Sequence, residues 1–285
     1  MSVTYREVRA ADAQRCGEIV YSAFKTINEK HGFLPDIPSP EVGVGFITML
    51  VNHPGWHGIV AESGGNVVGS NFIDERDAIA GIGPITIDPK SQDRSIGRTL
   101  MERALKRVAE KRFAGVRLIQ AAFHSRSMSL YTKLGFVVRE PLVTIQGTVP
   151  KLTIPGCKVR AASDSDLPRC NELCLRVHGH DRAGELGDAI KQQHATVVER
   201  NGRITGYSTV IGFFGHTLGE TNDDVAALIG AAREIQGPGL LLPTRNAQLF
   251  RWCLSNGLRV MQPMTLMTMG LYNEPVGAFL PSILY

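Results

Sequence analysis

Apolar and polar positions in the first half of the chain follow two periods. Runs that alternate every second residue predict strands, and apolar residues three or four apart predict amphipathic helices. The helix signal is clearest after Pro89, where apolar side chains stand at 96, 100, 104, 105 and 108, with charges on the opposite face. The pattern predicts strands near 5–8, 58–62, 66–74, 80–87, 116–123 and 136–145, and helices near 11–25, 40–51, 96–112 and 126–134.

The pattern recurs in the second half of the chain. VRAADAQRC, from Val8, resembles VRAASDSDLPRC, from Val159, and each reads as a strand followed by a helix cap. IVAESGGNVVGS at 59–70 matches TVVERNGRITGY at 196–207, and each has two apolar runs around a turn with Gly. A repeat of domain length predicts a tandem duplication. The predicted units are a first domain at 1–148, a linker at 149–156 and a second domain at 157–285.

Composition narrows the class of protein. Hydrophobic residues make up 43% of the 285 residues and charged residues 20%, which predicts a globule with a core. The chain has no run of about 18 apolar residues and its N-terminus is not of signal type, so we expect a cytoplasmic protein without a membrane partner. A net charge of +4 is too small to indicate nucleic acid. The five cysteines include no CxxC pair, so no disulfide framework or metal site is expected.

The loop at 90–95 lies between a predicted strand and the helix at 96–112. Free backbone N–H groups and the positive end of the helix dipole favour an anion there. Between Lys90 and Arg117 there are nine Lys or Arg against three Asp or Glu. A diphosphate therefore fits this loop, and a solvated basic helix face is the alternative interpretation.

Two segments carry a family resemblance. QDRSIG at 92–97 resembles the Q/R-x-x-G-x-G/A signature of the GCN5-related N-acetyltransferase (GNAT) family, with Ser95 where that family usually has Gly. HSRSMSLYTKLGF at 124–136 resembles the family's helix with a Tyr, followed by Gly-Phe at the next strand. The order of elements predicts an α/β (α+β) fold, in which mixed, mostly antiparallel sheets are flanked by helices. The resemblance implies two tandem GNAT-like domains of this kind.

The resemblance implies that the first domain binds acetyl-CoA (coenzyme A). The family's loop amides bind the pyrophosphate, and the strand before the loop binds the pantetheine arm and the acetyl carbonyl. Tyr131 matches the family's Tyr that protonates the leaving thiolate, and Glu75 is a candidate general base. The implied cofactor-binding residues are Ile85, Thr86, Ile87, Gln92, Asp93, Arg94, Ser95, Ile96, Gly97, Arg98, Thr99, His124, Ser127 and Tyr131. No metal is expected.

The second domain lacks these features. Glu220, Asp223 and Asp224 stand where the phosphate loop would be, and carboxylates there repel a diphosphate. Cys253 falls where Tyr131 would align, and we interpret it as a core thiol. The segment HGHD at 178–181 has no further run of metal ligands. The second domain is therefore interpreted as a degenerate copy that helps to complete the acceptor site.

The function predicted is transfer of an acetyl group from acetyl-CoA to a primary amine, by direct attack in a ternary complex. The acceptor, a small molecule or a peptide, is not identified by the sequence. The resemblance implies that the segment from Ser22 to His57 covers the acceptor pocket, and this segment has aromatic side chains at 24, 33, 46 and 56. The alternative is a non-catalytic CoA-binding or regulatory protein, and a third hypothesis is cofactor binding by both halves. A homodimer is left open.

Overall fold

The computed structural model describes residues 2–92 and 95–284, which form thirteen strands and eight helices. The strands are β1 (Val3–Glu7), β2 (Trp56–Ser63), β3 (Asn66–Asp74), β4 (Ile79–Ile87), β5 (Gly115–Ala121), β6 (Val137–Gln146), β7 (Lys158–Ala161), β8 (Thr196–Arg200), β9 (Arg203–Ser208), β10 (Thr217–Gly219), β11 (Leu240–Pro243), β12 (Arg259–Gly270) and β13 (Ala278–Leu280). The helices are α1 (Ala13–Lys30), α2 (Pro40–Asn52), α3 (Ile96–Glu110), α4 (Ser125–Lys133), α5 (Leu167–His178), α6 (Ala183–Lys191), α7 (Asn222–Ala231) and α8 (Ala247–Ser255).

The strands form two sheets. The larger has eight strands in the order β1-β2-β3-β4-β5-β12-β6-β11, and the smaller has five in the order β13-β10-β9-β8-β7. Among the named strands of the described residues, β4 and β5 pair in parallel and the other pairs are antiparallel. The predicted mixed, mostly antiparallel α/β fold is confirmed.

The larger sheet contains strands from both halves of the chain. β12 lies between β5 and β6, with Met264 opposite Ala121 on one side and Thr268 opposite Val137 on the other. β6 in turn pairs with β11 of the second half. The last long strand of each half thus pairs with the fifth strand of the other half. The predicted linker at 149–156 falls between β6 and β7, and the boundaries at 148 and 157 stay a prediction.

Helices cover both faces of the larger sheet at the strands of the first half. Side chains along a strand alternate between the two faces, so one strand contacts helices on each side. In β2, Ile59 and Ala61 pack in one apolar cluster with α3, while Val60 packs in another with α1 and α2. The predicted apolar face of α3 is buried at Ile96, Leu100, Ala104 and Val108. α1 runs beyond its predicted end at 25 and ends at Lys30, two residues before Gly32, whose backbone is left-handed at φ +77°.

The duplication is visible in matching ion pairs. Arg6 binds Asp12 at 2.7 Å and Glu62 at 2.6 Å in the first half. Arg160 binds Asp166 at 2.7 Å and Glu199 at 2.7 Å in the second half. Each arginine lies on the first strand of its half and each aspartate in the turn before the following helix.

Candidate active site

The first feature of the site is the divergence of β4 from β5. The two strands pair from Ile79–Gly115 to Gly81–Arg117 and then separate. In β4, one extra residue stands opposite β3 between Ile82 and Ile85, which bends the strand at this point. The edges at 82–87 and 118–121 therefore face each other without pairing. The backbone N–H and C=O groups on these edges are available to hydrogen-bond a ligand.

A cavity of about 450 Å³ opens between the diverging edges. Thr86 and Gln120 line it from opposite strands and are 3% and 6% exposed. Thr86 Oγ1 and Gln120 Nε2 are buried and have no hydrogen-bond partner in the described structure. Buried polar atoms are costly without a partner, so these two atoms are available to hydrogen-bond a ligand in the cavity. Of the predicted strand set, Ile85, Thr86 and Ile87 line the cavity.

The N-terminus of α3 lies at the end of the same strand. Ser95 has a left-handed backbone, with φ 58° and ψ 11°, and makes no side-chain capping hydrogen bond. The first N–H groups of α3 have no acceptor within the helix, so they remain for an anion. A Cβ on Gly97 would lie 3.1 Å from Ile87 Cδ1, which favours glycine there.

The other cofactor-binding residues predicted at this loop lie in different surroundings. Gln92 lines the cavity. Arg98 lies 3.5 Å from Glu102 on the exposed face of α3, and Thr99 Oγ1 donates to the carbonyl of Ser95 at 3.3 Å. The predicted ligands Asp93 and Arg94 lie outside the described residues.

Tyr131 and its neighbours on α4 form another wall of the cavity. Tyr131 is 7% exposed, and burial raises the pKa of its hydroxyl well above the usual value. Ser127 Oγ lies 2.9 Å from Gln120 Oε1 and 2.9 Å from the carbonyl oxygen of His124. Burial and the charges of Arg126 and nearby cations lower the pKa of His124, which also lines the cavity. The structure therefore brings together Tyr131, Ser127 and His124 as predicted neighbours.

Glu75 is not brought to this cavity. It lies after the last residue of β3, and its carboxylate binds Arg107 through two hydrogen bonds, one of 2.9 Å. Burial acts to raise the pKa of Glu75, but the hydrogen bond from Arg107 and the charges of Arg107 and Lys111 outweigh it and lower the pKa. Since β4 and β5 diverge toward their other ends, Glu75 lies away from the opening, and the geometry does not support it as the base.

Residues that the sequence did not single out complete the cavity. Asp36, in the loop between α1 and α2, lines it, and Asp36 Oδ1 accepts a hydrogen bond of 2.6 Å from Gln262 Nε2 of β12. The only local signal is a lone aspartate between prolines in the predicted acceptor segment. Gln262 could not be found this way, because only the strand exchange brings β12 to the end of β5.

The second half supplies part of the cavity wall. Phe213, Phe214, Met264, Ile283 and Leu284 line it. The backbone N–H of Ile283 donates to the carbonyl of Phe213 at 2.8 Å, and a Cβ on Gly81 would clash with the carbonyl oxygen of Leu284. The segment at 282–284 therefore packs where β4 and β5 begin to diverge.

The predicted aromatic residues of the acceptor segment divide into two groups. Phe24 and Phe46 line the cavity. Phe33 instead stacks on Phe123 at 4.4 Å between ring centroids, and Trp56 packs against Arg76 at 5.6 Å. His57 lies 3.9 Å from Glu7.

The corresponding helix N-terminus in the second half is closed by its own side chains. Thr221 accepts from the backbone N–H of Asp224, and Asp224 Oδ2 accepts from the backbone N–H of Thr221 at 2.9 Å. Cys253 is fully buried, and burial raises the pKa of its thiol to about 12. His178 Nε2 lies 3.1 Å from His216 Nε2, but the described residues contain no group of three metal ligands. The second half thus lacks an open helix N-terminus at this place, and its interpretation as a degenerate copy stays a prediction.

Comparison with known proteins bears on the fold of the chain. Residues 54–138 match the family model of an acetyltransferase (GNAT) domain, and no curated protein matches the chain. A protein from Pyrococcus horikoshii, provisionally described as an acetyltransferase, is similar at 18% identity and a TM-score of 0.74, over 97% of this chain and 92% of that one. A GCN5-related N-acetyltransferase from Sphaerobacter thermophilus gives 12% identity and a TM-score of 0.64, over 95% and 96%. A tandem GNAT protein from the clavulanic acid biosynthesis pathway gives 14% and 0.57, over 94% and 98%.

These similarities extend over nearly the whole chain. At such identities they establish a shared fold, which is the tandem GNAT arrangement that the sequence resemblance implied. Among the described residues, no helix is long and apolar enough to cross a membrane.

Proposed function

We propose, from the premise that residues 54–138 form a GNAT acetyltransferase domain within a tandem GNAT fold, that the protein transfers an acetyl group from acetyl-CoA to a primary amine. The observation that carries this proposal is the divergence of β4 from β5 over a cavity that Ile87 and Gln92 line on the side of α3, whose N-terminus has no side-chain cap. The divergence exposes two strand edges to an extended ligand with amide groups, and the helix N-terminus suits its pyrophosphate.

This geometry supports a set of proposed donor-binding residues. The N–H groups at the start of α3 hold the pyrophosphate, and Ser95 provides the turn into the helix. The edge of β4 holds the pantetheine arm, and because Pro84 has no N–H, the amides of Ile85 and Ile87 are the donors for the acetyl carbonyl. Thr86 Oγ1 and Gln120 Nε2 are unpartnered polar atoms on the two walls and supply further contacts.

Acetyl-CoA supplies an acetyl thioester, whose carbonyl carbon the amine nitrogen attacks directly in a ternary complex. A C–N bond forms, the C–S bond breaks, the nitrogen loses a proton and the sulfur gains one. Burial raises the pKa of Tyr131, so the phenol stays protonated at neutral pH. Tyr131 therefore acts chiefly as a hydrogen-bond donor to the sulfur while negative charge develops there.

The first test is release of free thiol from acetyl-CoA in the presence of a panel of primary amines. We expect amine-dependent thiol release together with one equivalent of CoA bound per chain by calorimetry. If acetyl-CoA raises the melting temperature but no amine yields thiol, the protein is a CoA-binding protein and not an enzyme. Two equivalents per chain would contradict the assignment of the second half as degenerate.

A further inference from the structure

Asp36 is the one carboxylate among the described residues that line the cavity. Its position is fixed from the second half of the chain, because Gln262 Nε2 donates to Asp36 Oδ1 at 2.6 Å. Gln262 is 3% exposed in β12, whose neighbouring residue Pro263 accepts a backbone hydrogen bond from Ala122 at the end of β5. The carboxylate is thus held at the wall of the cavity by a buried side chain.

The cavity that Asp36 lines has apolar walls. Cavity-lining side chains from both halves are Phe24, Ile37, Phe46, Phe213, Phe214 and Met264. The rings of Phe46 and Phe214 lie 5.1 Å apart, so α2 and the second half form one aromatic wall. Burial raises the pKa of Asp36, opposed by hydrogen bonds from Gln262 and Asn28.

The other ionisable side chains that line the cavity, among the residues that the structure describes, are Lys30, His31, His124, Arg126 and Tyr131. The first four carry or can acquire positive charge, and the charges of Lys30, His31 and Arg126 are close enough to lower the pKa of His124. A cationic acceptor is repelled by this group, and Asp36 is the group in the described cavity that attracts it.

We propose that Asp36 binds the ammonium group of the acceptor and removes its proton, and that the acceptor is a primary amine on an apolar body. This inference rests on the proposed function. The Asp36 carboxylate takes one proton from R–NH3+, which gives a carboxylic acid and a neutral amine. The amine lone pair then forms the C–N bond, the C–S bond breaks, and the proton lost by the nitrogen of the amide goes to the sulfur. Asp36 returns its proton to solvent after turnover.

Proton transfer from the acceptor's ammonium group to the Asp36 carboxylate depends on the pKa values of both groups in the apolar cavity. An ordinary carboxyl group, with a pKa of about 4, is a weak base toward an ammonium group of pKa about 10. Burial disfavours both charged forms, which raises the first pKa and lowers the second, so the proton transfer becomes easier. The aromatic wall binds the apolar body of the acceptor. A second charge on that body would lose its hydration without gaining a partner, so the cavity disfavours acceptors with several charges.

The test uses the full chain and three probe amines: 2-phenylethylamine, hexylamine and spermidine. We expect kcat/KM for the two apolar amines to exceed that for spermidine at least tenfold. Asp36→Asn keeps an oxygen that accepts from Gln262 and should fold, which the melting temperature checks. It should lower kcat/KM for 2-phenylethylamine by about 100-fold, the scale of a general base. Glu29→Gln removes a charge near the end of α1 outside the cavity and should leave kcat/KM within twofold.

Two further measurements separate this inference from the proposed function. Phe214→Ala should raise KM for 2-phenylethylamine but not for methylamine, which has no body to contact the aromatic wall. Binding of 2-phenylethylamine to the CoA-loaded protein should weaken at least tenfold in Asp36→Asn, whether or not the wild-type protein acetylates the amine.

If the wild-type protein acetylates amines while Asp36→Asn keeps the wild-type kcat/KM and amine affinity, the role of Asp36 is wrong and the proposed function stands. A preference for spermidine would overturn the apolar acceptor. If no amine is acetylated, the proposed function fails, and tenfold weaker amine binding in Asp36→Asn still supports this site.

Discussion

The carboxylate of Asp77 accepts a hydrogen bond of 2.7 Å from the backbone N–H of Gly184. A second bond, of 3.2 Å, comes from the N–H of Glu185. Asp77 lies in the turn between β3 and β4 of the first half, and both donors lie in the first turn of α6 in the second half. A residue of one half therefore caps a helix of the other, in addition to the shared sheet.

Asp77→Ala should lower the free energy of unfolding by about 1–2 kcal/mol, because it leaves the first N–H groups of α6 without an acceptor. Urea unfolding measures this, with Asp164→Ala as a control at an exposed aspartate. The control should stay within about 0.5 kcal/mol of wild type. Equal effects of the two substitutions would mean that the cap contributes nothing specific.

Ser95→Gly should raise the free energy of unfolding by about 0.5–1 kcal/mol, because Ser95 adopts a left-handed backbone that costs a side-chain-bearing residue about that much. Ser91→Gly, in the same loop but without a positive φ, should instead be neutral or destabilising. CoA affinity of Ser95→Gly should be similar or modestly tighter by calorimetry. Lower stability in Ser95→Gly would contradict the strain at this position.

Tyr131→Phe should lower kcat by about 100-fold, the scale for loss of one donor to a developing charge. The ring still fills its place beside Phe136, so the dissociation constant for CoA should stay within about twofold of wild type. Tyr21→Phe, at a tyrosine that packs between α1 and α2, is the matched control. Unchanged kcat in Tyr131→Phe would remove Tyr131 from the reaction.

Glu75→Gln should leave kcat within about twofold, because Glu75 is bound to Arg107 and does not line the cavity. Its loss should lower the free energy of unfolding by about 1 kcal/mol, the upper range for a partly exposed ion pair. Steady-state kinetics and urea unfolding of the same preparation measure both effects. A large fall in kcat with intact stability would restore Glu75 as the general base.

Asp166 gives a prediction for acid unfolding. The hydrogen bond from Arg160, against the opposing effect of burial, lowers the pKa of Asp166 in the folded state. Its stabilising contribution is therefore complete above the unfolded pKa of about 3.9 and is lost as the pH falls through the folded value. Asp166→Asn should cost roughly 2 kcal/mol at pH 7 and flatten the pH dependence below about pH 4.

Asp12 is the counterpart of Asp166 in the first half, because the hydrogen bond from Arg6 lowers the pKa of Asp12 in the same way. Asp12→Asn should therefore have the same effect on the free energy of unfolding. The two ion-pair clusters share no partner, so the effects of Asp12→Asn and Asp166→Asn should add. A double variant with no loss beyond either single variant would show that the halves do not unfold as one unit.

Local features of the sequence predicted the elements that frame the donor side of the proposed site. The apolar spacing at 96, 100, 104 and 108 identified the buried face of α3, and the strand before it ends where the pattern predicts. These features lie within one strand–loop–helix unit, so sequence distance and spatial distance agree. The position of Tyr131 at the cavity could be predicted for the same reason, because Tyr131 lies on the helix that follows the neighbouring strand β5.

The contact between Asp36 and Gln262 could not be predicted in this way. The two residues are 226 positions apart, and neither belongs to a motif. Glu75 shows the opposite error, since a carboxylate near the right strand in sequence lies in an ion pair away from the cavity. Carboxylates are common near turns, and only the fold decides which one faces the ligand.

The sequence by itself determined the elements, the duplication and the loss of the phosphate loop from the second copy, because each follows from residues that are close along the chain. Tertiary structure alone decided that β12 of the second half, and not β6 of the first half, pairs with β5. β6 and β12 have nearly the same burial pattern, so either would present its apolar positions correctly in either half. Their exchange depends on side-chain packing and connections between distant segments, and it is this exchange that brings Gln262 to Asp36.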